Sequence, residues 1–140
     1  MQISPHYDDV ITEVKNYLVM AADRAIRAGI PEFNIILDPG FGFGKTAKDN
    51  VLLLAELAQI RMTGYPLLAG LSRKSFIGEV TGRPADERLA GTLAANAVAI
   101  MAGADIIRVH DVKENFDLVK MLYAVKKAEL VKQKWNGFSK

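Results

Sequence analysis

The chain has 140 residues, none of them cysteine, with 18 Lys and Arg against 16 Asp and Glu for a formal net charge of +2. Half of it is hydrophobic and 24% is charged, which argues against intrinsic disorder and for at most one domain burying roughly 70% of its unfolded surface. The lack of cysteine excludes disulfide scaffolds, thiolate zinc sites and cysteine nucleophiles, and it suits a reducing cytoplasmic setting. The longest apolar runs, about six residues, fall far short of the ~20 that span a bilayer. The polar start from Met1 to Asp9 does not read as a secretory signal. Lys126, Lys127, Lys132, Lys134 and Lys140 read as a solvated helix face, not as a nucleic-acid stripe.

Val10, Val14, Leu18, Ala21 and Ala25 recur at helical spacing and predict a helix from Asp8 to about Ala28, stopped by Gly29 and Pro31. Asn34 to Leu37 predicts a short buried strand ending in the turn Asp38-Pro39-Gly40. A helix is expected from about Asn50 to Met62, with Leu53, Leu54, Leu57 and Ile60 inward and Gly64 as its cap. Tyr65 to Gly70 reads as the next strand and Ser75 to Val80 as a short helix. Glu87 to Ala102 is a helix rich in small residues, and Ala104 to His110 a third strand. Asp111 and Glu114 make a D-x-x-E start for a last helix reaching about Lys132. Strands separated by helical crossovers imply parallel pairing and an α/β fold.

Each strand runs into a polar or glycine-rich cluster at its carboxyl end: Asp38 to Thr46, then Ser72-Arg73-Lys74-Ser75, then Arg108-Val109-His110-Asp111. In parallel α/β folds that edge carries the site. The first cluster is not a P-loop, because Pro39 stands where its leading glycine belongs. It also lacks the acidic strand end of a dinucleotide site. Asp38 either fixes the Pro39-Gly40 turn or accepts paired N–H donors of a guanidine-like heterocycle that Phe41 and Phe43 would cover. Arg73 and Lys74 precede a helix start suited to an anion. Arg108 and His110, two apart on a strand, share a face and make a dianion clamp; alternatively, Arg108 pairs with an acid and His110 caps the strand. Glu87 and Arg88 are a possible supporting ion pair. His6 reads as solvated and Trp135 as packing; with two His and no Cys, a zinc site is not expected. The stretch Gly70-Leu71-Ser72-Arg73-Lys74 is not a nucleophile elbow.

In order and in register, Leu37-Asp38-Pro39-Gly40-Phe41-Gly42-Phe43-Gly44-Lys45-Thr46, Gly70-Leu71-Ser72-Arg73-Lys74-Ser75-Phe76-Ile77-Gly78, Glu87-Arg88, Gly91-Thr92 and Ile107-Arg108-Val109-His110-Asp111-Val112 resemble the dihydropteroate synthase family. The resemblance implies the C-terminal part of a (β/α)8 TIM barrel, about three parallel strands with flanking helices. A closed barrel takes ~250 residues, so this chain does not close one. It implies condensation of a dihydropterin pyrophosphate with p-aminobenzoate. Asp38, Gly42, Phe43 and Lys74 would bind the pterin, Phe43 and Ser75 the p-aminobenzoate, and Arg73, Arg108 and His110 the pyrophosphate. Lys74, Arg108 and His110 would be catalytic. The resemblance further implies Mg2+, with its protein ligand in an N-terminal half beyond this chain, sulfonamides as competitors, and a homodimer through the late helices. Nucleic-acid and membrane partners are not implied. Met1-Gln2 aligns with an internal Met-Gln of the family, whose members have about twice this length. The chain by itself is therefore expected to be an inactive fragment.

Overall fold

The computed structural model describes residues 7–137. Met1, His6 and Lys140 lie outside these residues, and so do the side chains of Lys134 and Trp135. In chain order come α1 (Val10–Arg27), a 3-10 turn (Glu32–Asn34), α2 (Ala47–Ala55), α3 (Leu57–Arg61), β1 (Leu68–Ala69), α4 (Ser75–Thr81), a second 3-10 turn (Ala85–Glu87), α5 (Leu89–Met101), β2 (Ile106–Ile107) and α6 (Val112–Gly137). The order of elements follows the sequence, but the expected strands Tyr65 to Gly70 and Ala104 to His110 are reduced to two residues each and the one at Asn34 to Leu37 is not formed as a strand.

The strands are parallel, with Leu68 opposite Ile106 and Ala69 opposite Ile107. On the other side of β1, Leu37 forms a single parallel bridge with Leu67. The expected strand from Asn34 to Leu37 is therefore reduced to one paired residue, and two prolines explain why. Leu37 N–H donates to the Pro66 carbonyl at 2.9 Å, and Leu68 N–H donates to the Leu37 carbonyl at 2.8 Å. Extending that ladder in either direction requires a donor N–H from Pro66 or from Pro39, and neither residue has one.

The helix predicted from Asn50 starts earlier, at Ala47. Thr46 caps it, with Asp49 closing a reciprocal capping box. It is interrupted at Glu56, so Leu53 and Leu54 lie on α2 and Leu57 and Ile60 on α3, all buried as expected. Asp111 directly precedes α6 as predicted, its carbonyl accepting the Asn115 N–H at 3.2 Å, while its carboxylate is turned to Arg73.

The core lies between these helices and the strands, built from Val10 and Val14 of α1, the leucines just named, Leu67, Ala69 and Leu71, and Phe76, Ile77, Ala95 and Ala99. Phe41 stacks on Phe76 with ring centroids 6.4 Å apart, which ties the loop after Leu37 to α4. The small residues of α5 bring it close to α4. A Cβ on Gly91 would stand 2.5 Å from Ile77 Cγ2.

Candidate active site at the carboxyl ends of the strands

The loop after Leu37 is built from its own atoms. Asp38 Oδ1 accepts the Gly40 N–H at 2.9 Å, the turn-fixing role open to it from sequence. Its second oxygen is a further acceptor for a ligand. Gly40, Gly42 and Gly44 all have φ between 60° and 84°, a region that glycine enters at no steric cost. Buried Asn50 accepts the Gly42 N–H at 2.7 Å and donates to the Thr46 carbonyl at 2.8 Å. Lys45 Nζ donates to the Gly40 and Phe43 carbonyls at 2.9 and 3.2 Å. Burial lowers the Lys45 pKa, against the opposing pull of Asp38 and Asp49. Asp38, Gly40, Phe43 and Lys45 line a cavity of about 420 Å³ that α1 closes with Val14 and Tyr17.

The second and third clusters meet each other. Lys74 N–H donates to the Leu71 carbonyl at 3.1 Å, closing a turn in which Arg73 has φ 58°. Buried Ser72 Oγ accepts the His110 N–H at 3.2 Å and lies 2.9 Å from His110 Nδ1. Arg73 Nε and Nη2 donate to the two Asp111 carboxylate oxygens at 3.1 and 2.5 Å. Those hydrogen bonds hold the Asp111 carboxyl below the ordinary carboxylate range and raise the Arg73 pKa. The Arg108 guanidinium lies over Gly70, where a Cβ would stand 3.0 Å from Nη2. Lys74 Nζ sits 4.3 Å from the centroid of the Phe43 ring, a cation–π contact. Phe43, Ser72, Arg73, Lys74, Arg108 and His110 together line a cavity of about 540 Å³.

Five of the predicted site residues thus share one cavity: Phe43, Arg73, Lys74, Arg108 and His110. Asp38 lies in the neighbouring cavity, with Phe43 as the wall common to both. Gly42 lines neither cavity, but it makes room for Lys74, whose Cδ would be 3.1 Å from a Cβ there. Ser75 opens α4 and is not in the cavity wall. Glu87 pairs with Arg83 at 3.0 Å and not with Arg88, which donates to the Arg83 and Arg73 carbonyls, both at 3.0 Å. The reason is local: Glu87 is four residues from Arg83 across a single turn. Ser72, read from sequence as one hydroxyl of its cluster, instead holds His110, and sequence reasoning gave no role to Asn50 and Thr92, short polar side chains that are buried and hold the site's backbone. The one available signal was a polar residue placed inside an otherwise apolar helix face.

Pterin binding enzymes form a family whose pattern matches residues 1–110, a stretch that includes all three strand-end clusters up to His110. The chain belongs to that family. Among curated relatives of this chain, the dihydropteroate synthase of Escherichia coli K12 is 46% identical over 129 residues, covering 92% of this chain and 46% of its own length. The solved structure of Xanthomonas albilineans dihydropteroate synthase in complex with 7,8-dihydropteroate matches with a TM-score of 0.87 and 47% identity. That match covers 90% of this chain and 48% of the other. Yersinia pestis dihydropteroate synthase with a sulfonamide drug complex gives a TM-score of 0.87 at 42% identity, covering 91% and 46%. The chain therefore spans about half the length of the relatives it matches, and its small parallel sheet corresponds to part of a TIM barrel that it does not itself close. No helix among the described residues is long and apolar enough to cross a membrane.

Proposed function

We propose that this chain carries the anion side and one wall of the pterin side of a dihydropteroate synthase site. There, 6-hydroxymethyl-7,8-dihydropterin pyrophosphate and p-aminobenzoate give 7,8-dihydropteroate and pyrophosphate. The observation that carries the reading is the convergence of Arg73, Lys74, Arg108 and His110 on one cavity at the carboxyl ends of parallel strands. The similarity to a relative solved with 7,8-dihydropteroate supports it.

In this reading the arylamine nitrogen attacks the pterin methylene. Its lone pair forms the new C–N bond, the C–O bond to pyrophosphate breaks, and the amine loses a proton. Arg108 and His110, with Arg73 beside them, stabilise the negative charge that builds on the leaving pyrophosphate. The Ser72 contact engages His110 Nδ1, so Nε2 remains for a phosphate oxygen. Lys74 reaches the pterin ring oxygen and nitrogen from its place over Phe43, and Asp38 accepts the pterin amino and ring N–H groups. Gly42 and Phe43 shape the pocket, and Ser75 takes the aminobenzoate carboxylate. No side chain has to become a nucleophile.

Mg2+ enters this reading as a counter-ion that neutralises pyrophosphate when bound. No group of three His, Asp or Glu side chains among the described residues could hold it, so these residues do not fit it alone and no step is derived through it. Sulfonamides would compete for the aminobenzoate position, and the setting would be cytoplasmic. The apolar groove where Ile100 and Met101 of α5 meet Val119 and Tyr123 of α6 supports a homodimer through those helices.

Calorimetric titration with pyrophosphate tests the anion assignment: binding is expected, and Arg108→Ala should abolish it. Failure of the 140-residue chain to bind pyrophosphate would overturn the assignment. With both substrates and Mg2+ the purified chain should give no turnover, since it spans about half of its relatives. Adding the N-terminal portion of the Escherichia coli enzyme should restore turnover. The half-length match favours one second reading, a non-catalytic pterin- and anion-binding unit. Pyrophosphate binding without any restored turnover would select it.

A further inference from the structure

Arg73 is the one non-glycine residue with positive φ among the described residues, at 58°. It occupies the third position of the turn that Leu71 and Lys74 close, where a positive φ favours glycine. Arginine at such a position is held by its surroundings, and residues held in this way cluster at functional sites. Three groups do the holding. The Arg73 N–H donates to Thr92 Oγ1 at 3.1 Å, and Thr92 is fully buried. The Arg73 carbonyl accepts from Arg88 Nη1 at 3.0 Å. The guanidinium is fastened to Asp111, whose own carbonyl accepts from Asn115 Nδ2 at 2.8 Å, while Asn115 Oδ1 accepts from Asn96 Nδ2 at 2.7 Å.

Arg88, the residue that leads into α5, and Thr92 and Asn96 on it recur every four residues, so all three stand along one side of that helix. The neighbouring helix is notched to admit the first of them. A Cβ on Gly78 of α4 would overlap the Arg88 guanidinium. The polar groups of that α5 face therefore converge, directly or through Asn115 and Asp111, on a single residue at the mouth of the anion cavity.

We propose that Thr92 and Arg88 are positioning residues of the anion site: by clamping the N–H and C=O of Arg73 they hold its backbone left-handed and so set where the Arg73 guanidinium and the adjacent Lys74 ammonium face the cavity. Neither residue lines the cavity, and both act through Arg73. Without the clamp, Arg73 relaxes to negative φ and its guanidinium leaves Asp111. The structural part of this inference stands on the hydrogen bonds alone. Only the choice of pyrophosphate as ligand rests on the function proposed above.

The test uses the full 140-residue chain with two readouts. The first is the NMR resonance of the Arg73 Nε–H, a direct signature of its bond to Asp111. The second is the pyrophosphate affinity. Thr92→Val should shift the Nε–H signal to that of a solvated guanidinium and weaken pyrophosphate binding by about tenfold, the loss of roughly one hydrogen bond's worth of positioning. Thr92→Ser, which keeps the hydroxyl, should restore both. In an Arg73→Ala background Thr92→Val should weaken binding by less, through Lys74 alone, because the backbone N–H at position 73 remains. Arg88→Met gives a second, independent break should Thr92→Val not fold, with the same expected loss. A wild-type Nε–H signal in both Thr92→Val and Arg88→Met overturns the inference. If Arg73→Ala leaves pyrophosphate affinity unchanged, the anion assignment of Arg73 fails, and the Nε–H signal still decides whether the clamp exists.

Discussion

The loop after Leu37 and the turn after β1 solve the same problem in different ways. Each takes the chain from a strand end into a left-handed conformation and leaves a cation at the cavity edge. The first does so with Gly40, Gly42 and Gly44, whose positive φ angles cost little, and with hydrogen bonds to Asp38, Lys45 and Asn50, no more than eight residues away. The second does so with an arginine, and its partners Thr92, Arg88 and Asp111 stand 15 to 38 residues away. One loop carries its conformation in its own composition. The other borrows it from α5 and the start of α6.

The largest expected effect breaks the first loop. Gly42→Ala places a Cβ at φ 84°, where an L-residue is disfavoured by roughly 1–2 kcal/mol, and pushes it to within 3.1 Å of Lys74 Cδ. The lysine side chain is flexible and yields, but in yielding it leaves the Phe43 ring. Denaturant unfolding should show a loss of about 2 kcal/mol. A loss below measurement error would mean that the loop is not confined to its observed conformation.

The turn after β1 should respond with the opposite sign. Arg73→Gly relieves the left-handed strain and is expected to raise stability by about 1 kcal/mol in the same unfolding experiment, while pyrophosphate binding falls. Thr46→Ala, which removes the capping box of α2 beside the first loop, should cost about 1 kcal/mol and leave pyrophosphate binding unchanged. If Arg73→Gly destabilises the chain, the guanidinium bonds to Asp111 outweigh the strain, and the contrast between the two loops weakens.

That contrast also explains what the sequence revealed. The strand-end clusters, the parallel α/β order and the first loop were legible because glycine, proline and alternating apolar runs act locally. The shortened strand at Leu37 was not, since it takes two prolines on different strands, Pro39 and Pro66, to remove the flanking ladder bonds. The early start of α2 hid because Lys45-Thr46 reads as the tail of a glycine loop, while Asp49 in place of the more usual Glu closes the capping box. In the sequence Thr92 is only half of the Gly91-Thr92 motif, with no role of its own. Its meaning lies in a bond to a residue 19 positions away. Asp111 was assigned to the helix it opens, when its carboxylate belongs to Arg73, 38 positions back. A long-range partner leaves no trace in the spacing of one sequence.

The smallest expected effect separates the two regions by salt and pH. Each region holds a carboxyl with a lowered pKa, Asp49 first through the Thr46 hydroxyl and Asp111 first through the Arg73 guanidinium. A carboxyl whose folded pKa is depressed contributes its full stabilisation above the unfolded value, about 3.9 for Asp, and loses it as pH falls through the lower folded value. Replacing either residue by Asn should therefore lower the thermal midpoint by a constant amount between about pH 5 and 8, and by less and less under more acidic conditions. Salt divides them. The partner of Asp49 is a neutral hydroxyl three residues away, and added salt should leave the effect of Asp49→Asn almost intact. The partner of Asp111 is a charged, solvent-accessible guanidinium, so the effect of Asp111→Asn should shrink toward zero as salt is raised. In an Arg73→Gly background that salt dependence should vanish, because the borrowed partner is gone. Persistence of the salt dependence there would assign Asp111 to another cation, and His110, which also lowers its pKa, is the one beside it.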